Sequence, residues 1–194
     1  MSSTTIPFGR RSLLRQVAGA AALGTVAVPI AAQAIAPMSG QQAPGFYRFK
    51  LGDYEVTVLN DGARTFPMPD QFVTNVPKNE ALAQAASVFM PQGKVTVPFN
   101  PTLINTGSKL VLLDTGNGPA PDGAVGRLFP NLAAAGIKPE EIDIVVISHL
   151  HPDHINGLRT QDGGVAFPNA EIIAPELDWA FWMSDENMAK ATTP

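Results

Sequence analysis

The stretch "ISHLHPDHING" at residues 147–157 contains every histidine of this 194-residue chain. His149, His151 and His154 fall within six residues, and Asp153 lies among them. The apolar run that leads into this stretch does not alternate with polar residues, which predicts a strand buried on both faces. In open α/β sheets, buried strands commonly deliver site residues at their C-terminal ends. The sequence therefore predicts a functional site where this strand ends.

Imidazole and carboxylate groups at this density indicate a metal site. His149 and His151 can converge on one ion, and Pro152 stiffens the bend because it fixes φ and removes an amide donor. Asp153 and His154 are offset and can reach a second ion close to the first. These donors suit Zn²⁺ and also Mn²⁺, Fe²⁺ or Co²⁺. The alternative is a surface cluster without function, but so many polar groups beside a core strand need compensation.

Composition excludes several classes of protein. An apolar share of 45% and a charged share of 15% are typical of a globular chain. The absence of cysteine excludes disulfides, thiolate metal sites and cysteine nucleophiles. Three of the 13 basic residues lie at the N-terminus (Arg10, Arg11 and Arg15), so the rest holds 10 basic against 17 acidic residues, a net charge of −7. Such a body repels a phosphate backbone, and we expect no nucleic-acid partner.

The N-terminus predicts an export signal of the twin-arginine type over residues 1–34. Arg10 and Arg11 precede an apolar, Gly/Ala-rich segment at 17–30, and the A-x-A sequence at 32–34 is typical of a cleavage site. The alternative is an uncleaved anchor, but the apolar segment is shorter than the roughly 20 residues that span a bilayer. We expect a bacterial periplasmic or secreted protein with no stable membrane span after cleavage.

The remainder predicts a linker at 35–45 and one portion of a domain at 46–194. Alternating β-rich runs and turn residues predict strands, and Ala-rich or capped runs predict helices. The predicted strands lie at 46–50, 54–59, 144–147, 171–174 and on both sides of a turn at 106–108. The predicted helices lie at 79–90 with Asn79 as N-cap, before Gly136, and from 175 to about 190.

The segment "HLHPDH" matches the H-x-H-x-D-H motif of the metallo-β-lactamase superfamily. "LLDTG" at 112–116 and "VLNDG" at 58–62 resemble strands that precede the motif in this family, and the similarity extends over most of the chain after residue 45. "SHLHPDHINGL" and the Asp-x-x-Phe-Trp segment ending at Trp182 resemble the branch of methyl parathion hydrolase and quorum-quenching lactonases. The resemblance implies an α/β (α+β) fold, the N-terminal part of an αβ/βα sandwich whose mostly antiparallel or mixed sheet is flanked by helices.

The resemblance also implies roles for the motif residues. His149 and His151 would bind the first of two divalent metals, most readily zinc, and Asp153 and His154 the second. Asp153 would also be catalytic. Asp114 would support the metal loop, which is the stretch at 147–157, or a ligand in it through a hydrogen bond. The alternative is a carboxylate that only starts a turn.

Three further residues carry two interpretations each. Asp61 is either a support for the site or part of a turn with Gly62, and the turn is favoured. Phe181 and Trp182 resemble aromatic residues at the substrate pocket of that branch. The alternative for these two is a hydrophobic face of the last helix.

In the family, a further histidine, a bridging aspartate and a last histidine arrive well downstream of the motif. This sequence ends 40 residues after His154, and Asp178 and Asp185 lie too early to be the bridge. Each metal would have two protein ligands, where a catalytic zinc normally has three. One sheet face and one edge would also be exposed. We therefore expect the sequence to be a piece of a longer protein; the alternative is a partner chain that supplies the missing ligands.

For the complete protein, the resemblance implies a hydrolase that uses a metal-bridging hydroxide on a lactone, ester or organophosphate. Such a substrate is small and neutral or apolar, and an acidic body disfavours polyanions. The 194 residues alone would have little activity. An iron-dependent redox member of the superfamily and a non-catalytic metal-binding remnant are the alternatives, and a homodimer stays open.

Overall fold

The computed structural model describes residues 36, 38–40, 42–120 and 123–190. The chain divides into two units, Met1–Gly40 and Gln41–Pro194. The export signal predicted at 1–34 lies outside the described residues, and the described residues of the first unit have no regular secondary structure. Within the described part, no helix has both the length and the apolar character needed to cross a bilayer.

The second unit contains a six-stranded mixed sheet. The predicted hairpin at its start is confirmed: the first two strands pair antiparallel, with Leu51 opposite Tyr54 across the turn at Gly52. The six strands are β1 (Phe46–Leu51), β2 (Tyr54–Leu59), β5 (Thr102–Asn105), β6 (Leu110–Leu113), β7 (Ile144–Val146) and β8 (Glu171–Ile173). They lie in the order β1-β2-β5-β6-β7-β8, with antiparallel pairing from β1 to β6 and parallel pairing from β6 to β8.

A separate antiparallel pair is formed by β3 (Gly62–Pro67) and β4 (Lys94–Phe99), with helix α1 (Lys78–Ser87) between them in sequence. The predicted cap of this helix is wrong. The helix begins one residue before Asn79, because the carbonyl of Pro77 already accepts hydrogen bonds from the amides of the first turn. Asn79 therefore lies inside the helix, where it cannot cap it.

The core lies between the large sheet and helix α2 (Leu128–Ala134). Leu128 and Leu132 are fully buried on one face of α2, where they join a core cluster that includes Val145 of β7. The helix ends before Gly136 as predicted, and that residue has φ of 81°, in the left-handed region that glycine adopts without strain. Burial of these side chains fixes β7 in the interior.

The single helix predicted from 175 to about 190 is wrong. Two short helices occupy this segment, α4 (Glu176–Trp182) and α5 (Asp185–Lys190). Ser184 lies between the two helices, and its hydroxyl accepts a hydrogen bond from the amide of Asn187 at 3.4 Å. A serine that bonds forward in this way starts a new helix.

Candidate metal centre

Three neighbouring parallel strands end at the same edge of the large sheet. Leu113 pairs with Val146, and Val146 pairs in turn with Ile173, so the ends of β6, β7 and β8 are aligned. The chain that leaves each strand carries polar groups: Asp114 after β6, the histidine motif after β7, and helix α4 after β8. Alignment of strand ends is what brings these distant parts of the sequence together.

The four predicted metal ligands lie close to one another. The ring centroid of His149 is 4.5 Å from that of His151 and 3.9 Å from that of His154. Pro152 begins the short helix α3 (Pro152–Ile155), which turns the chain back after His151. Nε2 of His154 is therefore 3.2 Å from Oδ2 of Asp153.

Asp114 holds the metal loop at two points. Its Oδ1 accepts a hydrogen bond from the amide of Ser148 at 2.7 Å, and its Oδ2 accepts from the Ser148 hydroxyl at 2.8 Å. Oδ2 is also 2.8 Å from Nδ1 of His154. Because a carboxylate only accepts, the contact with Asp114 favours the tautomer of His154 that has its proton on Nδ1 and its lone pair on Nε2. This tautomer is the one that a metal ligand on Nε2 requires.

The backbone of Asp114 fits this role. Its φ of 59° lies in the left-handed region, which aspartate tolerates better than most residues. The sequence raised a turn as the alternative reading of Asp114. The structure combines the two, because the same residue starts the turn and directs its carboxylate at the metal loop.

Sequence reasoning missed a second contact between these two loops. Both the amide and the hydroxyl of Thr115 donate to the carbonyl of His154, each at 2.8 Å. Gly157 packs so closely that a Cβ there would lie 2.0 Å from the Thr115 carbonyl oxygen. The only signal in the sequence was the glycine that closes the motif.

Asp61 supports the site indirectly, through the loop that carries Asp114. Its side chain is fully buried and accepts hydrogen bonds from the amide of Asn117 at 2.8 Å, the Asn117 side chain at 3.0 Å and the amide of Leu128 at 3.0 Å. A Cβ at Gly116 would lie 2.6 Å from the Asp61 carboxyl carbon. Asp61 thus supports the loop that carries Asp114, and its hydrogen bonds go to this loop and to α2, away from the histidines.

The last predicted site residues lie on α4. The rings of Trp182 and His151 meet in a T-shaped arrangement with their centroids 6.1 Å apart. The ring centroid of Phe181 is 5.5 Å from that of Trp182. Phe181 is 55% and Trp182 44% exposed, and α4 has no buried residue, so neither ring belongs to a hydrophobic core face. Both are available to line the mouth of a site beside His151.

An open cavity of about 250 Å³ adjoins the other side of the motif. Its wall includes the acidic side chains of Asp114 and Asp153, and His154. The opposite wall consists mostly of apolar residues at the end of β4 and in the turn after it, including Val97 and Phe99. A larger cavity in the described part of the chain, of about 770 Å³, is lined by none of the predicted ligands.

The chemistry of the donor set fits divalent cations. Nitrogen and oxygen donors of this kind suit zinc, and the carboxylate–imidazole contact from Asp114 is the usual support of a zinc-binding histidine. Among the described residues, no group of three His, Asp or Glu side chains is arranged to hold one ion. The two pairs expected from the sequence, His149 with His151 and Asp153 with His154, therefore stay a prediction.

Residues 97–162 match the family described as the metallo-beta-lactamase superfamily, and this range includes both Asp114 and the whole histidine motif. The chain belongs to the metallo-beta-lactamase superfamily. The predicted family and fold class are therefore confirmed, because the mixed six-stranded sheet and its helices match solved structures of this fold over part of their extent.

Two solved hydrolases show the relationship in detail. AbOPH, a hydrolase of the beta lactamase superfamily, is 30% identical, with a TM-score of 0.69 over 78% of this chain and 52% of its own. AidC, a dizinc quorum-quenching lactonase solved with its product N-hexanoyl-L-homoserine, is 32% identical, with a TM-score of 0.66 over 71% of this chain and 47% of its own.

A probable metal-dependent hydrolase from Staphylococcus aureus is 25% identical, with a TM-score of 0.59 over 71% of this chain and 53% of its own. This metallo-beta-lactamase superfamily chain thus spans about half the length of the solved relatives that it matches. No curated protein matches it significantly. The chain is homologous to hydrolases of the metallo-beta-lactamase fold.

Proposed function

We propose that the full-length protein is a dinuclear metal-dependent hydrolase that acts on a lactone, an ester or an organophosphate. The observation that carries the proposal is the cluster of three imidazoles and one carboxylate at a sheet edge, with ring centroids 3.9 and 4.5 Å apart. Similarity to AidC, a dizinc lactonase, and to the hydrolase AbOPH supports the class of reaction.

His149 and His151 would hold one divalent cation, and Asp153 and His154 the other, with zinc preferred for these donors. When bound, such a pair supplies Lewis-acid activation of water and stabilises negative charge that develops on oxygen. The contact of Asp114 with Nδ1 of His154 favours a proton on Nδ1, so that the lone pair of Nε2 would bind the metal. Asp153 would orient the attacking water by accepting its hydrogen bond.

Three features favour a small neutral substrate. The cavity beside Asp153 has an apolar wall that includes Val97 and Phe99. The exposed rings of Phe181 and Trp182 offer further apolar surface on the side of His151. The negative charge of the chain after its N-terminus disfavours polyanions. Lactones and phosphotriesters meet these conditions because both are uncharged and partly apolar.

The test measures metal content and hydrolysis on the full-length protein, with a panel of acyl-homoserine lactones, aryl esters and phosphotriesters. We expect about two zinc equivalents and turnover of at least one class. Replacing both His149 and His151 by Ala should abolish turnover and remove metal. Asp185→Asn, which removes an exposed carboxylate outside the motif, is the control. Stoichiometric iron without any hydrolysis would contradict the proposal and favour redox chemistry.

Export by the twin-arginine route is a separate part of the proposal and depends on the sequence at 1–34. Replacing both Arg10 and Arg11 by Lys should retain the protein in the cytoplasm, because this route recognises the arginine pair. Fractionation of cells that express the full-length protein measures the outcome. An unchanged periplasmic or secreted fraction would contradict it.

A further inference from the structure

Helix α4 contributes a carboxylate to the metal loop from the side opposite Asp114. Oδ2 of Asp178 accepts a hydrogen bond from the amide of Leu150 at 2.5 Å. On sequence alone, Asp178 is a candidate only for the bridging ligand, and it lies too early in the chain for that role. Its observed contact is with the backbone, at the residue between His149 and His151.

Two carboxylates therefore hold the start of the motif. Asp114 accepts from the amide of Ser148 at 2.7 Å and Asp178 from that of Leu150 at 2.5 Å. They come from the strands on either side of β7: Asp114 follows β6, and Asp178 lies in the first turn of the helix that follows β8. The backbone around His149 is thus fixed from both neighbouring strands.

The burial of Asp178 supports a specific role. No residue of α4 is fully buried, and Asp178 is the least exposed residue of this helix. The side chain of Leu150, on the same segment, packs against the core cluster. A carboxylate on the amide and an apolar anchor on the side chain together restrict the rotation of the peptides that carry His149 and His151.

We propose that Asp178 is a positioning residue for the first metal: it orients His149 and His151 through the amide of Leu150. The proposal rests on the assignment of these two histidines as ligands under the proposed function. Asp178 acts through the backbone, so an uncharged acceptor of the same shape should preserve most of its effect. A role as a direct ligand or as a bare charge predicts the opposite.

The experiment uses the full-length protein with Asp178→Ala, Asp178→Asn and the control Glu176→Gln, which removes an exposed carboxylate from the same helix. One measurement is zinc affinity by competition with a chelator. The other is the hydrogen-exchange rate of the Leu150 amide in metal-free protein, which reports the contact without any metal or activity. Circular dichroism and thermal unfolding check that each variant folds.

We expect Asp178→Ala to weaken zinc binding by about ten- to a hundredfold, as for other groups that support a metal ligand. Exchange at Leu150 should accelerate about tenfold or more in the same variant. Asp178→Asn should stay within about threefold of the parent in both measurements, because it loses only a charge near the surface. Glu176→Gln should match the parent.

Unchanged zinc affinity or unchanged Leu150 exchange in Asp178→Ala would overturn the proposal. Equal loss of zinc in Asp178→Asn and Asp178→Ala would also overturn it, since that result identifies a ligand or a charge effect. Failure of the proposed function looks different. A parent that binds no zinc refutes the metal site and the metal-directed role of Asp178 together, while Leu150 exchange still reports whether Asp178 holds the segment.

Discussion

Replacement of Asp114 by Asn tests whether one carboxylate sets the tautomer of His154. Asn has the same shape and tolerates the φ of 59° at this position, so backbone strain does not confuse the result. Its Oδ1 can still accept from the Ser148 amide. Its NH₂ group, however, now faces Nδ1 of His154, where Oδ2 accepted at 2.8 Å. Two N–H groups cannot share this contact, so the imidazole proton should move to Nε2.

The size of the effect follows from the lost contact. A proton on Nε2 blocks the atom that we assign to the metal, and returning it to Nδ1 leaves two donors facing each other. A hydrogen bond to a charged group contributes about 1.5–3 kcal/mol. This range agrees with the ten- to hundredfold loss of metal affinity, about 1.4–2.7 kcal/mol, seen when a partner of a ligand histidine is removed. We expect zinc affinity of the full-length protein to fall by that factor in Asp114→Asn.

The assay combines zinc titration under chelator competition with ¹⁵N NMR of the imidazole nitrogens in metal-free protein. The NMR spectrum of His154 should show a protonated Nδ1 in the parent and a protonated Nε2 in Asp114→Asn. Asp53→Asn, which removes the same charge at the exposed β1–β2 turn, is the control and should match the parent. If Asp114→Asn bound zinc as tightly as the parent with an unchanged tautomer, the reasoning would be refuted.

Two further changes test the support of the site, and a third tests the pH dependence of stability. Asp61→Ala leaves the backbone amides of Asn117 and Leu128 without their acceptor, at about 1–3 kcal/mol each. The free energy of unfolding in urea should therefore fall by about 2–6 kcal/mol; a loss below 1 kcal/mol would contradict this. Gly157→Ala places a Cβ 2.0 Å from the carbonyl oxygen of Thr115. The free energy of unfolding should therefore fall by at least about 1–3 kcal/mol, and zinc affinity should fall with it. Unchanged stability would show that the two loops move apart at no cost. The hydrogen bond from Lys109 holds the pKa of Asp143 below its ordinary 3.8, so the stability that this carboxylate contributes is present above that value and is lost as pH falls through the lower, folded-state pKa. Urea midpoints of the parent and Asp143→Asn should therefore differ at pH 6 and converge below pH 3.8; a constant difference would contradict the linkage.

Much of the local structure followed from pattern alone. The hairpin around Gly52, the strand before the motif and the helix end at Gly136 were predicted, because each depends on neighbouring residues. The expected burial of that strand on both faces was wrong, because Val145 is buried while Ile144 and Val146 on the other face are only half-buried. The errors had local causes as well. Asn79 was a plausible cap until the carbonyl of Pro77 began the helix first, and Ser184 divided a helix that composition alone would have continued.

The sequence by itself determined the chemistry available to this protein: no thiol, three imidazoles, and one carboxylate packed among them within six residues. Those ligands are neighbours along the chain, so their proximity needed no fold. The carboxylates that orient them, Asp114 and Asp178, lie 35 residues before and 29 residues after His149. Only the parallel pairing of β6, β7 and β8 decided that these two groups meet the loop, because strand order and register depend on burial across the whole sheet.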